Sequence, residues 1–139
     1  MSRNVQYSIA VHIMAGLAVH QGRDVTSADL AESINTSRTF VRRTLARLAK
    51  AGLVDTARGK NGFCRLSRDP KRINLLSIYQ AVGSPPVFAI HGYPANRDCQ
   101  VSSGIKDALG IVREASQRAL ENSLAKIKLS DVAERLEPS

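Results

Sequence analysis

Apolar residues recur at helical spacing through the first fifty positions, alternate at strand spacing for the next fifteen, and then return to helical spacing. Residues 4–21 predict a first helix. Tyr7, Ala10, Met14, Leu17 and Ala18 fall three or four apart along it, and Gly22 stands where it should end. Thr26 followed by Asp29 is a variant of the capping box and opens a second helix, Thr26 to Ile34, whose inward residues are Leu30, Ala31 and Ile34. A two-residue polar turn, Asn35-Thr36, leads to a third helix from Ser37 to Lys50. On a wheel of about 100° per residue, Val41, Leu45 and Leu48 share one side. Thr39, Arg42, Arg43, Ala46 and Lys50 share the other, and Gly52 stops the helix.

The period then shortens. Leu53–Ala57 and Phe63–Ser67 alternate as two strands of a hairpin, with Asn61-Gly62 supplying residues that tolerate positive φ in the turn. Asp69-Pro70 breaks the second strand, and Ile73–Val82 makes a fourth short helix ended by Gly83. Residues 84–101 are irregular. From Ser102 or Ser103 to about Leu129 runs a long helix with Ile105, Leu109, Val112, Ala119, Leu120, Leu124 and Ile127 on one stripe. Such a stripe is longer than a small domain can cover by itself, which predicts a homodimer held through residues 103–128. A last short helix, Ser130–Leu136 with Ser130 as N-cap, ends the pattern. The fold class is therefore mainly α with a small β-hairpin wing. Residues 1–83 form a winged helix-turn-helix, 84–101 a connecting or sensor loop, and 102–139 a dimerisation helix with a short helix after it.

Charge says what the first part touches. Residues 1–72 hold thirteen Lys/Arg against five Asp/Glu, a net of +8, whereas residues 73–139 hold seven of each. An excess confined to one half, with a pI near 10.1, implies a polyanion. A basic membrane-surface helix with Trp, Phe or Leu opposite is absent, and no apolar run nears the ~18–20 residues of a membrane span, so the expected partner is double-stranded DNA and not a membrane. The residues placed to meet DNA are Thr36, Ser37, Arg38, Thr39, Arg42, Arg43 and Lys50 on and before the third helix, with Arg58, Lys60 and Asn61 at the hairpin tip. A small residue such as Ala46 among the bases suits close approach to a groove. The bland alternative for these positions is an ordinary solvated basic face.

Several stretches together resemble one family. Tyr7–Leu17 (YSIAVHIMAGL), Leu45–Val54 (LARLAKAGLV), Arg58–Leu66 (RGKNGFCRL) and Ile73–Val82 (INLLSIYQAV) are similar to the Rrf-type winged-helix regulators of bacteria, relatives of IscR, NsrR and CymR. The resemblance extends to Asp98-Cys99-Gln100-Val101 and Leu129-Ser130-Asp131-Val132. It implies a homodimer packed through long C-terminal helices, acting on pseudo-palindromic promoter DNA, usually as a repressor. Two departures stand out. The wing has Asn61-Gly62-Phe63 where the family commonly has Gly-Gly-Tyr. Cluster-binding members carry three cysteines after the fourth helix, where this chain has Cys99 alone. An iron-sulfur cluster is therefore not expected, and the pattern is closer to the cluster-free YwnA-like branch.

Cys99 follows Arg97-Asp98 and precedes the long helix. A helix N-terminus favours thiolate, which makes Cys99 a candidate redox or electrophile sensor; the alternative is a small residue packing the helix start. Cys64 is expected to be structural. His12, His20 and His91 show no metal-ligand spacing. No Ser/His/Asp order, paired carboxylates, phosphate loop or HExxH appears, so no enzyme is expected. Two cysteines and no signal-peptide plan suggest a reducing, cytoplasmic compartment. The competing readings are a thiol-based redox enzyme using Cys99, and a winged helix that docks protein without binding DNA specifically.

Overall fold

The structure, a computed structural model, describes residues 5–57 and 62–137. The elements are α1 (Gln6–Val19), β1 (Val25–Thr26), α2 (Ser27–Ile34), α3 (Arg38–Lys50), β2 (Val54–Thr56), β3 (Phe63–Leu66), a 3-10 turn (Pro70–Arg72), α4 (Leu75–Ala81), α5 (Gln100–Lys126) and α6 (Leu129–Leu136). Among the described residues no helix is long and apolar enough to cross a membrane. The chain divides into two compact units. The first runs through Ser84 and resumes from Leu124, and the second is Pro85–Ser123.

In the first unit α1 is the central post. It packs against α2, α3, α4, α6 and β3. It buries Ala10, Ile13, Met14, Ala15, Leu17 and Ala18, so it is apolar nearly all round rather than along the single predicted stripe. The predicted inward residues of α3, Val41, Leu45 and Leu48, are all buried against it, and Thr44 joins them. Thr44 tolerates burial because its hydroxyl donates to the Phe40 carbonyl at 3.1 Å. Gly52 takes φ 77° and lets the chain leave α3 into β2.

The sheet has three strands, in the order β1-β3-β2, all antiparallel. The sequence predicts the hairpin but misses β1, a two-residue strand too short to show any period. Thr26 has two jobs there. It pairs with Phe63 in β3 and also caps α2, tying the root of the wing to the helix-turn-helix.

The C-terminal expectation needs three corrections. The long helix starts at Gln100 and stops at Lys126, so Gln100 and Val101 leave the predicted loop and Leu129 leaves the predicted helix. The last helix begins two residues earlier than the expected cap allows. Lys128 replaces Ser130 at its N-cap position, and the Lys128 N–H donates to the Asp131 carboxylate at 2.9 Å. The grouping of residues 102–139 also fails, because α6 belongs to the first unit. Leu129 is fully buried in the core, and two backbone bonds clip its approach to α4: Leu75 N–H to the Ile127 carbonyl at 2.9 Å and Leu129 N–H to the Ile73 carbonyl at 2.7 Å.

In the second unit the segment after Pro85 has no helix or strand before α5, yet it runs back along α5 and is tied to it. The Val87 N–H donates to the Gln117 side chain at 2.7 Å, the Lys106 ammonium donates to the Tyr93 carbonyl, and the Asn96 N–H donates to the Ser102 hydroxyl at 2.7 Å. Residues 102, 106 and 117 share one side of a helix. That is also the side on which Ile105, Leu109 and Leu120 are half-buried. The adjoining side carries Val101, Ala108, Ile111, Val112, Ala115 and Ala119, all exposed. Of the predicted stripe, only Val112 and Ala119 lie on this open face.

Candidate nucleic-acid interface

The candidate interface is built on α3. Asn35 closes α2 in the left-handed region at φ 66°, and its N–H and that of Thr36 return to the Glu32 and Ala31 carbonyls at 3.2 and 3.0 Å. Ser37 then caps α3, its hydroxyl accepting the Phe40 N–H at 3.1 Å. Thr36 is half-buried, whereas Ser37, Arg38, Thr39, Arg42, Arg43, Ala46 and Lys50 are exposed, on the side of α3 away from its buried residues. None of the α3 cations forms an ion pair with a carboxylate among the described residues. Arg58, Lys60 and Asn61 lie outside the described residues.

The cations divide by what they face. Arg38 and Arg42 line a groove of about 530 Å³ between the start of α2, α3 and the sheet, which Thr26, Ser27, Ala46 and Thr56 also line. Arg43 sits differently, with its guanidinium carbon 5.5 Å from the centroid of the Phe40 ring. Arg47 was not singled out from the sequence and is already engaged, donating to the Val82 carbonyl at 3.0 Å and fastening α3 to the end of α4. At the groove mouth the capping box is reciprocal. The Thr26 N–H donates to the Asp29 carboxylate at 3.0 Å, and the Asp29 N–H donates to the Thr26 hydroxyl at 3.1 Å. The hydrogen bonds from Thr26, the backbone one foremost, hold the Asp29 carboxyl below its ordinary range.

Cys99 immediately precedes α5 and is half-exposed. Its sulfur accepts the Ser102 N–H at 3.4 Å, as an N-cap side chain does, and its own N–H donates to the Asn96 carbonyl at 3.0 Å. Cys64 is 4% exposed in β3, between Val25 and Thr56 on the neighbouring strands, and burial pushes its thiol up. The His12 ring contacts the Ser33 hydroxyl at 3.0 Å.

The family profile described as "Rrf2: Iron-dependent Transcriptional regulator" matches residues 3–135. YwnA of Bacillus subtilis, named an HTH-type transcriptional regulator, is 36% identical over 134 residues, which is 96% of this chain and 98% of that one. Two solved structures share the fold. CymR of B. subtilis has a TM-score of 0.68 at 20% identity, covering 97% of this chain and 98% of that one. IscR of T. potens has a TM-score of 0.66 at 23% identity, covering 99% and 89%.

The profile's description raises the question of iron. Among the described residues no group of three or more His, Cys, Asp and Glu could hold a metal ion. Of the two thiols, Cys64 belongs to the core of the first unit and Cys99 to the second. A cluster needs several thiolates or equivalents, so this donor set does not fit one held within a single chain. The helix-turn-helix with its wing, the profile match over nearly the whole chain and the likeness to YwnA agree: the chain belongs to the Rrf2 family, and it is a DNA-binding transcriptional regulator rather than an enzyme.

Proposed function

We propose that the protein binds pseudo-palindromic promoter DNA in the cytoplasm as a homodimer and acts as a repressor. In this reading α3 lies in the major groove and the wing reaches the flanking backbone. The observation that carries it is the face of α3: exposed cations without carboxylate partners, backed by a fully buried apolar stripe. Thr39, Arg42, Arg43 and Lys50 meet the groove, Ser37 and Arg38 meet phosphate at the helix start, and Thr36 positions the turn. Arg58, Lys60 and Asn61 contribute from the wing on the strength of the sequence alone.

The dimer forms through the open face of α5. Val101 is 69%, Ile111 73% and Val112 51% exposed, and no residue of this 27-residue helix is buried within the chain. A helix about 40 Å long with apolar residues left in water is stabilised by a second copy of itself. The small side chains Ala108, Ala115 and Ala119 allow two such helices to approach closely. A two-fold dimer presents two copies of α3, which suits an operator of two-fold symmetry.

Regulation in this reading needs no iron-sulfur cluster and works through the Cys99 thiol. Peroxide would convert it to the sulfenic acid with release of water, disturbing the cap of α5. Duplexes selected from a random pool provide the operator on which all of this is tested. Arg43→Ala should cost about 1–3 kcal/mol on the selected site, and Arg38→Ala should weaken all sequences alike and reduce the salt slope by about one. Unchanged affinity in both variants would refute the assigned DNA face. A peroxide response that survives in Cys99→Ser would remove the sensing role alone.

A further inference from the structure

Phe40 is an aromatic residue without a place in the core. It is half-buried on the third position of α3, and the half-buried apolar side chains that pack on the core of the first unit do not include it. Its backbone is fully used, with its N–H donating to Ser37 and its carbonyl accepting from Thr44. What its ring meets is Arg43, one turn further along on the exposed face. Arg38 and Arg42 line the groove toward the sheet, and no aromatic ring lines it with them.

We propose that Phe40 is a positioning residue for sequence reading. Its ring holds the Arg43 guanidinium over the exposed face of α3 before DNA arrives, so that Arg43 reads a guanine edge in the major groove. The proposal rests on the reading of α3 as the DNA-contacting helix. The chemistry is specific to this pair. A free arginine side chain loses much rotamer freedom when it is fixed against a base, and a side chain already restrained loses less. Cation–π attraction acts on the ring face and consumes none of the five N–H donors, which lie in the guanidinium plane. The pair that faces guanine O6 and N7 is thus left free to donate. Phe40 need not touch DNA for this. It acts by lowering the disorder Arg43 must give up on binding.

A double-variant cycle on the selected operator tests the idea, together with a copy of that operator carrying 7-deazaguanine, which lacks the N7 acceptor. Phe40→Leu keeps an apolar side chain of similar bulk but has no π face. It should bind the operator about two- to fivefold more weakly than wild type, with unchanged affinity for non-specific duplex and an unchanged unfolding midpoint. Its discrimination between guanine and 7-deazaguanine should shrink. Phe40→Tyr retains the ring and should restore wild-type binding. In an Arg43→Ala background, Phe40→Leu should have no further effect. An equal loss in both backgrounds would mean that the ring acts on its own and would overturn the proposal, as would no loss in the wild-type background or a parallel loss on non-specific duplex. If Arg43→Ala itself leaves operator binding intact, Arg43 reads no base and this inference is overturned, and if Arg38→Ala does so as well, the reading of α3 falls with it. If Arg43→Ala weakens binding while Phe40→Leu does not, only the positioning role is lost.

Discussion

Two helices of this chain carry apolar residues at the same spacing and end in opposite situations. α3 buries Val41, Thr44, Leu45 and Leu48 within 13 residues, and α5 buries nothing in 27. Behind α3 stands α1, apolar on almost every side, so the polar face of α3 is free to be all cation. Along α5 the strap from Val87 to Asn96 covers one flank by three hydrogen bonds and leaves another apolar and exposed, and Leu124 near its end packs on the core. One helix thus has its apolar stripe covered within its own unit, and the other keeps an apolar face exposed.

That contrast can be broken at either helix. The largest effect is expected at Leu48, fully buried in α3. Leu48→Ala should destabilise the first unit by about 2–5 kcal/mol in chemical unfolding, and a loss under about 1 kcal/mol would mean the site closes around the gap. Val112→Glu comes next. It should weaken self-association at least about a hundredfold by placing an unpaired charge in the joint, while far-ultraviolet dichroism stays that of a folded chain. A Val112→Glu protein that still sediments as a dimer would move the interface elsewhere. Leu109→Glu sharpens the comparison, since Leu109 lies on the strapped flank and should disturb the strap more than the dimer. The smallest effects belong to the capping box. Thr26→Ala should cost about 1 kcal/mol at neutral pH. Asp29→Ala should cost about 0.3–1.5 kcal/mol. Because the folded-state value of Asp29 lies below the ordinary 3.8, its contribution is fully present above 3.8 and is lost as pH falls through the folded value. The difference between wild type and Asp29→Ala should therefore close under acid conditions, and a gap that persists at pH 2 would assign the effect to the helix and not to the carboxylate.

The sequence carried the winged helix well because its signals are local. The Thr26/Asp29 box, Asn35 in the turn and Gly52 after α3 each act within four residues, and each stands where the pattern places it. The basic face of α3 was legible for the same reason: a wheel needs only Arg38 to Lys50. What escaped depends on distant partners. β1 is defined by Cys64 and Phe63, nearly forty residues on, and α6 by Ile73 and Leu75, more than fifty residues back. The strap on α5 was not legible either, because the apolar stripe is broad enough to serve two faces and only contacts with Val87 to Asn96 divide it. Arg47 and Phe40 were passed over because one looks like any surface arginine and the other like any core phenylalanine.

The placement of Leu129 also orders events during synthesis. The core of the first unit is closed by a side chain made 45 residues after Ser84, once the whole of α5 has been produced. At roughly 5–20 residues per second that is an interval of about 2–9 seconds in which α1 has no Leu129 against it. A nascent chain therefore carries all of α5 before its winged helix-turn-helix unit is complete. Partly made chains are thus poorly equipped to hold DNA, because the unit that binds it is finished only once α6 has been made.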